Sequence, residues 1–170
     1  MSDMALEDLT FPEASREQVI SIAPFTVRRV ARWSECDPAG VVYTGNFTEY
    51  LISATHLFRR FVLGRDWSGI RESVHVDLPA KAISLVFNGS LWPDDVFDIS
   101  LFVGDIRERT FDFVARAVRA GGSDKVFEGR LSVICVSASD RRTAVSIPHP
   151  LRARLEQQRA HSPAPGDLSH

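Results

Sequence analysis

The segment CDPAGVVYTGNFTEYL, residues 36–51, places the carboxylate of Asp37 directly before a proline. Pro38 disfavours the α-helical conformation at Asp37, and Gly40 permits a tight turn. A helical pattern begins only several residues later, at Asn46. We therefore expect Asp37 to lie on a rigid loop beside the N-terminus of a helix.

This arrangement is suited to acyl transfer. Free N–H groups at the helix start, from Thr44 through Thr48, favour a carbonyl oxygen that becomes negative. A carboxylate beside them either attacks a reactive carbonyl, giving a mixed anhydride, or deprotonates a water molecule. Asp is a weak base at neutral pH and a thioester accepts carboxylate attack, which slightly favours the nucleophile. Spacing alone favours a simpler alternative, in which Asp37 only caps its own turn.

Asn46 and Glu49 are two further candidates in the same segment. Their spacing predicts Asn46 as the helix N-cap and Glu49 as its partner in a capping box. Glu49 is also a rival catalytic carboxylate, and Asn46 is a candidate for orienting Asp37 or a water molecule. Cys36 has no histidine placed by the sequence to activate it, so we interpret it, like Cys135, as a packing residue. No histidine has metal-ligand spacing with Cys or Asp, and no metal site is predicted.

Hydrophobic periodicity predicts the elements that position this loop. Alternation from residue 25 to residue 33 predicts a strand that buries Phe25, Val27, Ala31 and Trp33. From Asn46, steps of three and four residues predict a helix of about five turns that ends before Gly64. Because the polar residues of this helix form one narrow stripe, it must be enclosed on most sides; the stripe is Glu49, Ser53, His56 and Arg60.

Four later segments, residues 80–91, 95–104, 107–119 and 125–137, have strand alternation and are separated by turn signals. Their connections are too short for parallel crossovers, so we predict an antiparallel meander. The predicted buried faces are Ile83, Leu85 and Phe87; Phe97, Ile99, Leu101 and Val103; Phe111, Phe113, Ala115 and Ala117; and Phe127, Leu131, Val133 and Cys135. With a short terminal helix at residues 148–159, these elements outline an α+β hot-dog fold, a curved antiparallel sheet wrapped around a long helix.

Composition favours a single soluble domain. We predict a polar N-terminal leader at residues 1–22, the folded domain at residues 23–158 and a disordered tail at residues 159–170. The net charge of −2 and pI near 6.2 provide no basic field for nucleic acid. The N-terminus lacks the features of a signal peptide, and no apolar run approaches the roughly 18 residues of a membrane span. With only two cysteines, the expected location is the cytoplasm.

Residues 36–51 closely resemble the loop-and-helix signature of the 4-hydroxybenzoyl-CoA thioesterases of the hot-dog superfamily. The matching positions are Asp37, Pro38, Ala39, Gly40, Asn46 and Phe47. The resemblance extends weakly from Phe25 to Glu156. It implies that Asp37 is the catalytic carboxylate and that the backbone N–H of Thr44 polarises the thioester carbonyl. It also implies a dimer, often paired into a tetramer, with active sites at subunit interfaces.

Two departures from the family pattern concern the acyl group. Relatives commonly have Tyr or His where this chain has Thr44, and aryl-CoA enzymes can have an acidic residue at the position of Ser53. The phosphates of coenzyme A need cations, and the resemblance places candidates at Arg107, Arg109, Arg141 and Arg142. Arg109 and Arg142 are the preferred pair, although an arginine at a strand end is more often simply solvated.

The predicted function is hydrolysis of a small or aromatic acyl-CoA to the free acid and CoA, with CoA as part of the substrate and no separate cofactor. The chain has no GxSxG motif and no phosphate-binding loop followed by Lys, which argues against α/β-hydrolases and P-loop enzymes. Alternatives are an acyl-carrier-protein thioesterase and a non-catalytic acyl-CoA-binding protein. A hot-dog dehydratase is a weaker alternative, because the loop before the helix contains no histidine.

Overall fold

The computed structural model describes residues 17–166 of the chain. Within them the strands are β1 (Glu17–Ile22), β2 (Phe25–Val30), β3 (Val76–Asp77), β4 (Ala80–Phe87), β5 (Val96–Ile106), β6 (Thr110–Arg119), β7 (Lys125–Ile134) and β8 (Val136–Ser137). The helices are α1 (Thr44–Leu63), α2 (Trp67–Val74) and α3 (His149–His161), and a 3-10 turn covers Trp33–Glu35. None of these helices is both long and apolar enough to cross a membrane.

Six of the strands form one antiparallel sheet in the order β1-β2-β5-β6-β7-β4, and β3 pairs with β8. The predicted antiparallel pairing is confirmed, and β5, β6 and β7 form a meander. The predicted meander is wrong for β4, which lies beyond β7 at the sheet edge instead of beside β5. Alternation fixes which face a strand buries, whereas the choice of neighbour depends on long-range packing that the local pattern does not contain.

The long helix α1 packs against one face of this sheet and forms the core. The predicted inward residues of β5 and β6 are all fully buried, at 0% exposure. Phe58 of α1 contacts Phe113 of β6, and Phe47 contacts Phe127 of β7, with ring centroids 5.3 Å and 5.8 Å apart. Helix α3 buries Leu151 and Leu155 in the same core. This architecture confirms the predicted hot-dog fold.

Two predicted buried faces differ in the structure. Trp33 is 72% exposed because β2 ends at Val30 and the chain turns into the 3-10 turn. Ile83 and Phe87 of β4 are 41% and 50% exposed, because β4 has a strand neighbour on only one side. Leu85 packs partly against the core. The predicted burial of Ile83 and Phe87 is therefore wrong for the single chain.

The domain boundaries also differ from the predicted ones. Residues 17–22, assigned to the leader by sequence, form β1 and pair with β2. Helix α3 continues to His161, three residues past the predicted domain end at residue 158. Helix α2 was not predicted at all. The rest of the predicted leader and the last four residues of the predicted tail lie outside the described residues.

Candidate active site

The Asp37 loop is closed by short backbone hydrogen bonds. Gly40 N–H donates to the Asp37 carbonyl oxygen and Asp37 N–H donates to the Val41 carbonyl oxygen, both at 2.9 Å. Cys36 forms an isolated β-bridge with Val42. Gly40 has φ of +80°, so the turn uses the conformational freedom predicted for this glycine. The loop is therefore a compact turn with few free backbone groups.

The two oxygens of the Asp37 carboxylate have different surroundings. Its Oδ1 accepts a hydrogen bond of 2.8 Å from the backbone N–H of Ala39, which is the turn-capping contact considered as the structural alternative. Its Oδ2 accepts no hydrogen bond from any residue between 17 and 166. One oxygen thus fixes the carboxylate on the turn, and the other is available to a ligand.

Helix α1 begins at Thr44, with Tyr43 as the N-cap residue and no side-chain cap. The predicted capping box is therefore wrong: Asn46 lies inside the first turn, and Glu49 is an exposed residue of the second turn. The Nδ2 of Asn46 donates instead to the Glu35 carbonyl oxygen, at 2.6 Å. Among the described residues, Thr44 N–H has no acceptor, as expected for the first position of a helix.

A buried polar network behind the loop was missed by the sequence analysis. Glu35 is 9% exposed, and its Oε2 accepts hydrogen bonds from Tyr50 Oη at 2.8 Å and from Arg32 N–H at 2.9 Å. The guanidinium of Arg29 lies 3.7 Å from Glu35 and 4.4 Å above the Tyr50 ring. The available signal was a tyrosine on an otherwise apolar helix face, because a buried phenol needs a polar partner.

Two pKa shifts characterise the groups around the loop. Burial raises the pKa of Tyr50, and the hydrogen bond to Glu35 and its charge raise it further, so the phenol remains a donor. Desolvation, followed by the charges of Asp37 and Glu35, raises the pKa of the Cys36 thiol. Cys36 is therefore not a thiolate nucleophile at neutral pH, in agreement with its interpretation as a packing residue.

An open cavity of about 590 Å³ lies beside this network, between α1 and the β1 side of the sheet. Asn46 and Glu49 line it, whereas Asp37 and Thr44 do not; the full lining is Glu17, Arg29, Ser34, Glu35, Asn46, Glu49 and Ser53. Asn46 and Glu49 therefore face a cavity that Asp37 does not line. In the part of the chain described, no three His, Cys, Asp or Glu side chains are grouped as metal ligands.

The two arginines predicted for coenzyme A lie far from Asp37 in the same chain. Val42, at the end of the Asp37 loop, donates its N–H to the carbonyl oxygen of Leu91, which lies shortly before β5. The start of β5 pairs with the end of β6 at Arg119, so the Asp37 loop lies at this end of the sheet. Arg109 directly precedes β6, whose ten residues extend about 30 Å. Arg109 is 55% exposed beside Glu108, and Arg142 follows β8 in a turn held by Asp140.

Comparison with protein families gives a match to the Thioesterase-like superfamily over residues 31–155, most of the described domain. The chain belongs to this superfamily. The match includes the Asp37 loop, α1 and the four main-sheet strands β4, β5, β6 and β7, and it ends within α3, at residue 155. A search of curated protein sequences found no match.

Solved structures show the same fold at low sequence identity. The 1,4-dihydroxy-2-naphthoyl-CoA thioesterase from Synechocystis has a TM-score of 0.65 and 19% identity, covering 77% of this chain and 94% of its own. A 4-hydroxybenzoyl-CoA thioesterase mutant in complex with 4-hydroxybenzoyl-CoA has a TM-score of 0.66 and 18% identity, covering 83% and 99%. A Staphylococcus aureus protein in complex with CoA has a TM-score of 0.70 and 15% identity, covering 94% and 97%.

Proposed function

We propose that the protein is an acyl-CoA thioesterase that hydrolyses a small or aromatic acyl-CoA to the free acid and CoA. One observation supports this most directly. The Asp37 loop, with its unengaged Oδ2, is joined to the helix start by the hydrogen bond from Tyr43 N–H to the Glu35 carbonyl oxygen, at 2.9 Å. The next residue, Thr44, presents its free N–H. The Asp37 carboxylate and the proposed oxyanion donor, Thr44 N–H, are thus both attached to one short backbone loop that this hydrogen bond closes.

The reaction has two balanced routes. In the first, Oδ2 of Asp37 attacks the thioester carbon, the C–S bond breaks, and CoA thiolate leaves and takes a proton from water. Water then cleaves the mixed anhydride, restoring the carboxylate and releasing the acid. In the second, Asp37 takes a proton from a water molecule whose oxygen attacks the same carbon; the C–S bond then breaks, and the proton on Asp37 passes to the departing CoA thiolate, which restores the carboxylate. In both, Thr44 N–H stabilises the negative carbonyl oxygen. The low basicity of an ordinary aspartate favours the first route.

The substrate class rests on two kinds of support. Structures with the same fold include proteins named as 1,4-dihydroxy-2-naphthoyl-CoA, gentisyl-coenzyme A and 4-hydroxybenzoyl-CoA thioesterases. Exposed aromatic residues also surround the Asp37 end of the sheet, where Tyr43 is 59% exposed and Phe87 is 50% exposed. An aromatic acyl group would bury part of this surface. The cytoplasmic location stays a prediction.

A homo-oligomer would complete this site. The exposed apolar residues of β4 lie along an unpaired strand edge, which is a template for another strand. Two copies paired antiparallel through β4 place the Phe87 end of one strand beside the Ala80 end of the other. Arg109 and Arg142 of one copy then lie at the same end of the joined sheet as Asp37 of the other. The two arginines would therefore bind CoA phosphates for the neighbouring subunit.

The test is a thiol-release screen with aryl-, short-chain and long-chain acyl-CoA and with acyl carrier protein substrates. We expect turnover of an aryl-CoA or short-chain CoA thioester, and a loss of about a thousandfold or more in kcat in Asp37→Asn, which keeps the shape but removes the nucleophile or base. Full turnover by Asp37→Asn would show that the assignment of Asp37 is wrong. Activity on carrier-protein substrates alone would change the proposal to an acyl-carrier-protein thioesterase.

A non-catalytic acyl-CoA-binding protein is the second candidate. It is favoured by the hydrogen bond from Ala39 N–H to Asp37 Oδ1, because this contact gives the aspartate a sufficient structural role. Acyl-CoA would then raise the thermal stability of the protein without releasing thiol. Thiol release that depends on Asp37 excludes this candidate.

A further inference from the structure

Glu35 is connected to both parts of the proposed site through its backbone. Its carbonyl oxygen accepts two hydrogen bonds, from Tyr43 N–H at 2.9 Å and from Asn46 Nδ2 at 2.6 Å. Asp37 is two residues after Glu35, and Thr44 directly follows Tyr43. The position of this one carbonyl oxygen therefore sets the separation between the Asp37 loop and the first free N–H of α1.

The side chain of Glu35 fixes the position of that carbonyl. Its Oε2 accepts both the Tyr50 hydroxyl, at 2.8 Å, and the Arg32 N–H, at 2.9 Å. Tyr50 is 1% exposed and cannot move easily, because its ring packs against Phe97 at 5.2 Å between centroids. Glu35 is thus tied to the second turn of α1 through its side chain and to the helix start through its backbone.

We propose that Glu35 and Tyr50 are positioning residues, which hold the Asp37 carboxylate and the Thr44 N–H in the separation needed for thioester attack. This inference rests on the proposed function. Their contacts reach the loop through the Glu35 backbone, so both act on Asp37 through the position of that backbone. Catalysis of this kind is sensitive to small displacements, and an error of about 1 Å can reduce the rate by about a hundredfold.

The contacts that attach α1 to the sheet do not use the Tyr50 hydroxyl. Phe47 and Phe58 contact Phe127 and Phe113, and the Tyr50 ring packs against Phe97 through its apolar faces and edges. Loss of the Tyr50 hydroxyl should therefore loosen the loop while leaving the helix in place. This separation makes a positioning role distinguishable from a general role in stability.

Tyr50→Phe and a pair of Glu35 variants test the inference by activity. Tyr50→Phe removes only the hydroxyl, and we expect kcat to fall about tenfold or more while KM changes little. Glu35→Ala should behave in the same way. Glu35→Gln should retain more of kcat than Glu35→Ala, because the glutamine carbonyl can accept from both Tyr50 Oη and Arg32 N–H, although the ion pair with Arg29 is lost. A Glu35→Gln variant as impaired as Glu35→Ala would overturn the geometric role in favour of one based on charge.

Ser132→Ala is a matched control. Ser132 also donates a hydroxyl hydrogen bond, of 2.7 Å, to a buried carboxylate, that of Asp112, but on a strand far from the loop. We expect it to leave kcat unchanged. A similar loss of kcat in Ser132→Ala and Tyr50→Phe would overturn the inference, because any lost buried hydrogen bond would then have the same effect.

Hydrogen–deuterium exchange of segment 36–43 provides a readout that needs no substrate. We expect faster exchange of the Asp37 and Tyr43 amides in Tyr50→Phe and Glu35→Ala, and unchanged exchange in Ser132→Ala. Unchanged exchange in both site variants overturns the inference whatever the activity. Faster exchange with unchanged kcat in an active enzyme overturns it too. A wild-type protein inactive on every thioester overturns the proposed function and the catalytic part of this inference. Faster exchange in Tyr50→Phe and Glu35→Ala would in that case still support the ordering of the loop by Glu35.

Discussion

Gly40 determines whether the Asp37 turn can form without strain. Its φ is +80°, and a Cβ added there would meet no atom within 4 Å, so substitution costs backbone strain alone. We expect Gly40→Ala to lower the free energy of unfolding by about 1–2 kcal/mol and to reduce kcat by displacing Asp37. Urea unfolding and thiol release measure the two effects.

The matched control for this change is Gly69→Ala. Gly69 lies in helix α2, has equally free space around an added Cβ and does not have a positive φ. Alanine there should raise the free energy of unfolding by about 0.5–1 kcal/mol, because glycine disfavours a helix interior. If Gly40→Ala were as stable as Gly69→Ala, the turn would not depend on the left-handed conformation.

Asp140 gives the turn beside Arg142 a defined pH dependence. Its carboxylate accepts hydrogen bonds from the N–H groups of Arg142 and Thr143 and from the Thr143 hydroxyl, which together lower its pKa from 3.8 to about 2. Because the folded pKa is depressed, the contribution of Asp140 to stability is complete above about pH 4 and is lost as the pH falls through about 2. Carboxyl NMR titration should show this midpoint.

Thr143→Val tests the cause of that shift. It removes the hydroxyl donor and keeps the two backbone donors, so the midpoint of Asp140 should rise toward the ordinary range of an aspartate without reaching it. The stability difference between the wild type and Asp140→Ala should disappear at low pH. A difference that persists unchanged to pH 2 would show that the turn does not depend on the charged carboxylate.

The edge strand β4 has an apolar sequence, yet several of its apolar side chains are exposed in a single chain. Val86 is 58% exposed on this edge, and a charge there should prevent pairing with a second copy. We expect Val86→Lys to convert an oligomer to monomers in sedimentation equilibrium and to reduce thioesterase activity. Val30→Lys is the control, since Val30 is 43% exposed but belongs to β2, which has strands on both sides. Equal effects of the two changes would argue against an interface at β4.

The elements predicted correctly are those whose pattern is local. The alternating Phe111, Phe113 and Ala115 identify β6 because period-2 burial is the same whichever strands lie beside it. The position of β4 depends on pairing with β7, in which the partner residues lie 40 to 53 positions later in the chain, and no local signal specifies it. Trp33 was assigned to a strand because apolar alternation continues past Val30, where the backbone has already turned.

The site was predicted where its determinants lie within a few residues. Pro38 and Gly40 define the Asp37 turn through their own backbone preferences, so the turn follows from the sequence. The predicted N-cap of α1, Asn46, lies three residues after the observed one, Tyr43, because Asn46 has the residue type of an N-cap but donates to the Glu35 carbonyl oxygen. The contact between Glu35 and Tyr50 joins residues 15 positions apart in different elements, and it becomes visible only in the folded chain.

At the scale of the whole molecule, Asp37 and the two candidate arginines lie at opposite ends of the sheet in one chain. The length of β6 separates these ends by about 30 Å. The antiparallel dimer through β4 proposed above would bring the two ends together and would also cover the exposed apolar residues of that strand. The same arrangement thus accounts for two features that a monomer leaves unexplained.

Subunit complementation tests this composite site. Asp37→Asn and the double variant Arg109→Ala/Arg142→Ala should each be nearly inactive at low acyl-CoA concentration, the first through kcat and the second through a raised KM. In a mixed dimer, one of the two sites combines Asp37 from one chain with both arginines from the other. Refolding the two variants together should therefore restore about a quarter of the wild-type activity, because about half of the dimers are mixed and each has one intact site. Mixing Asp37→Asn with Asp37→Ala should restore none, and a mixture no more active than the mean of its two parents would place each site within a single chain.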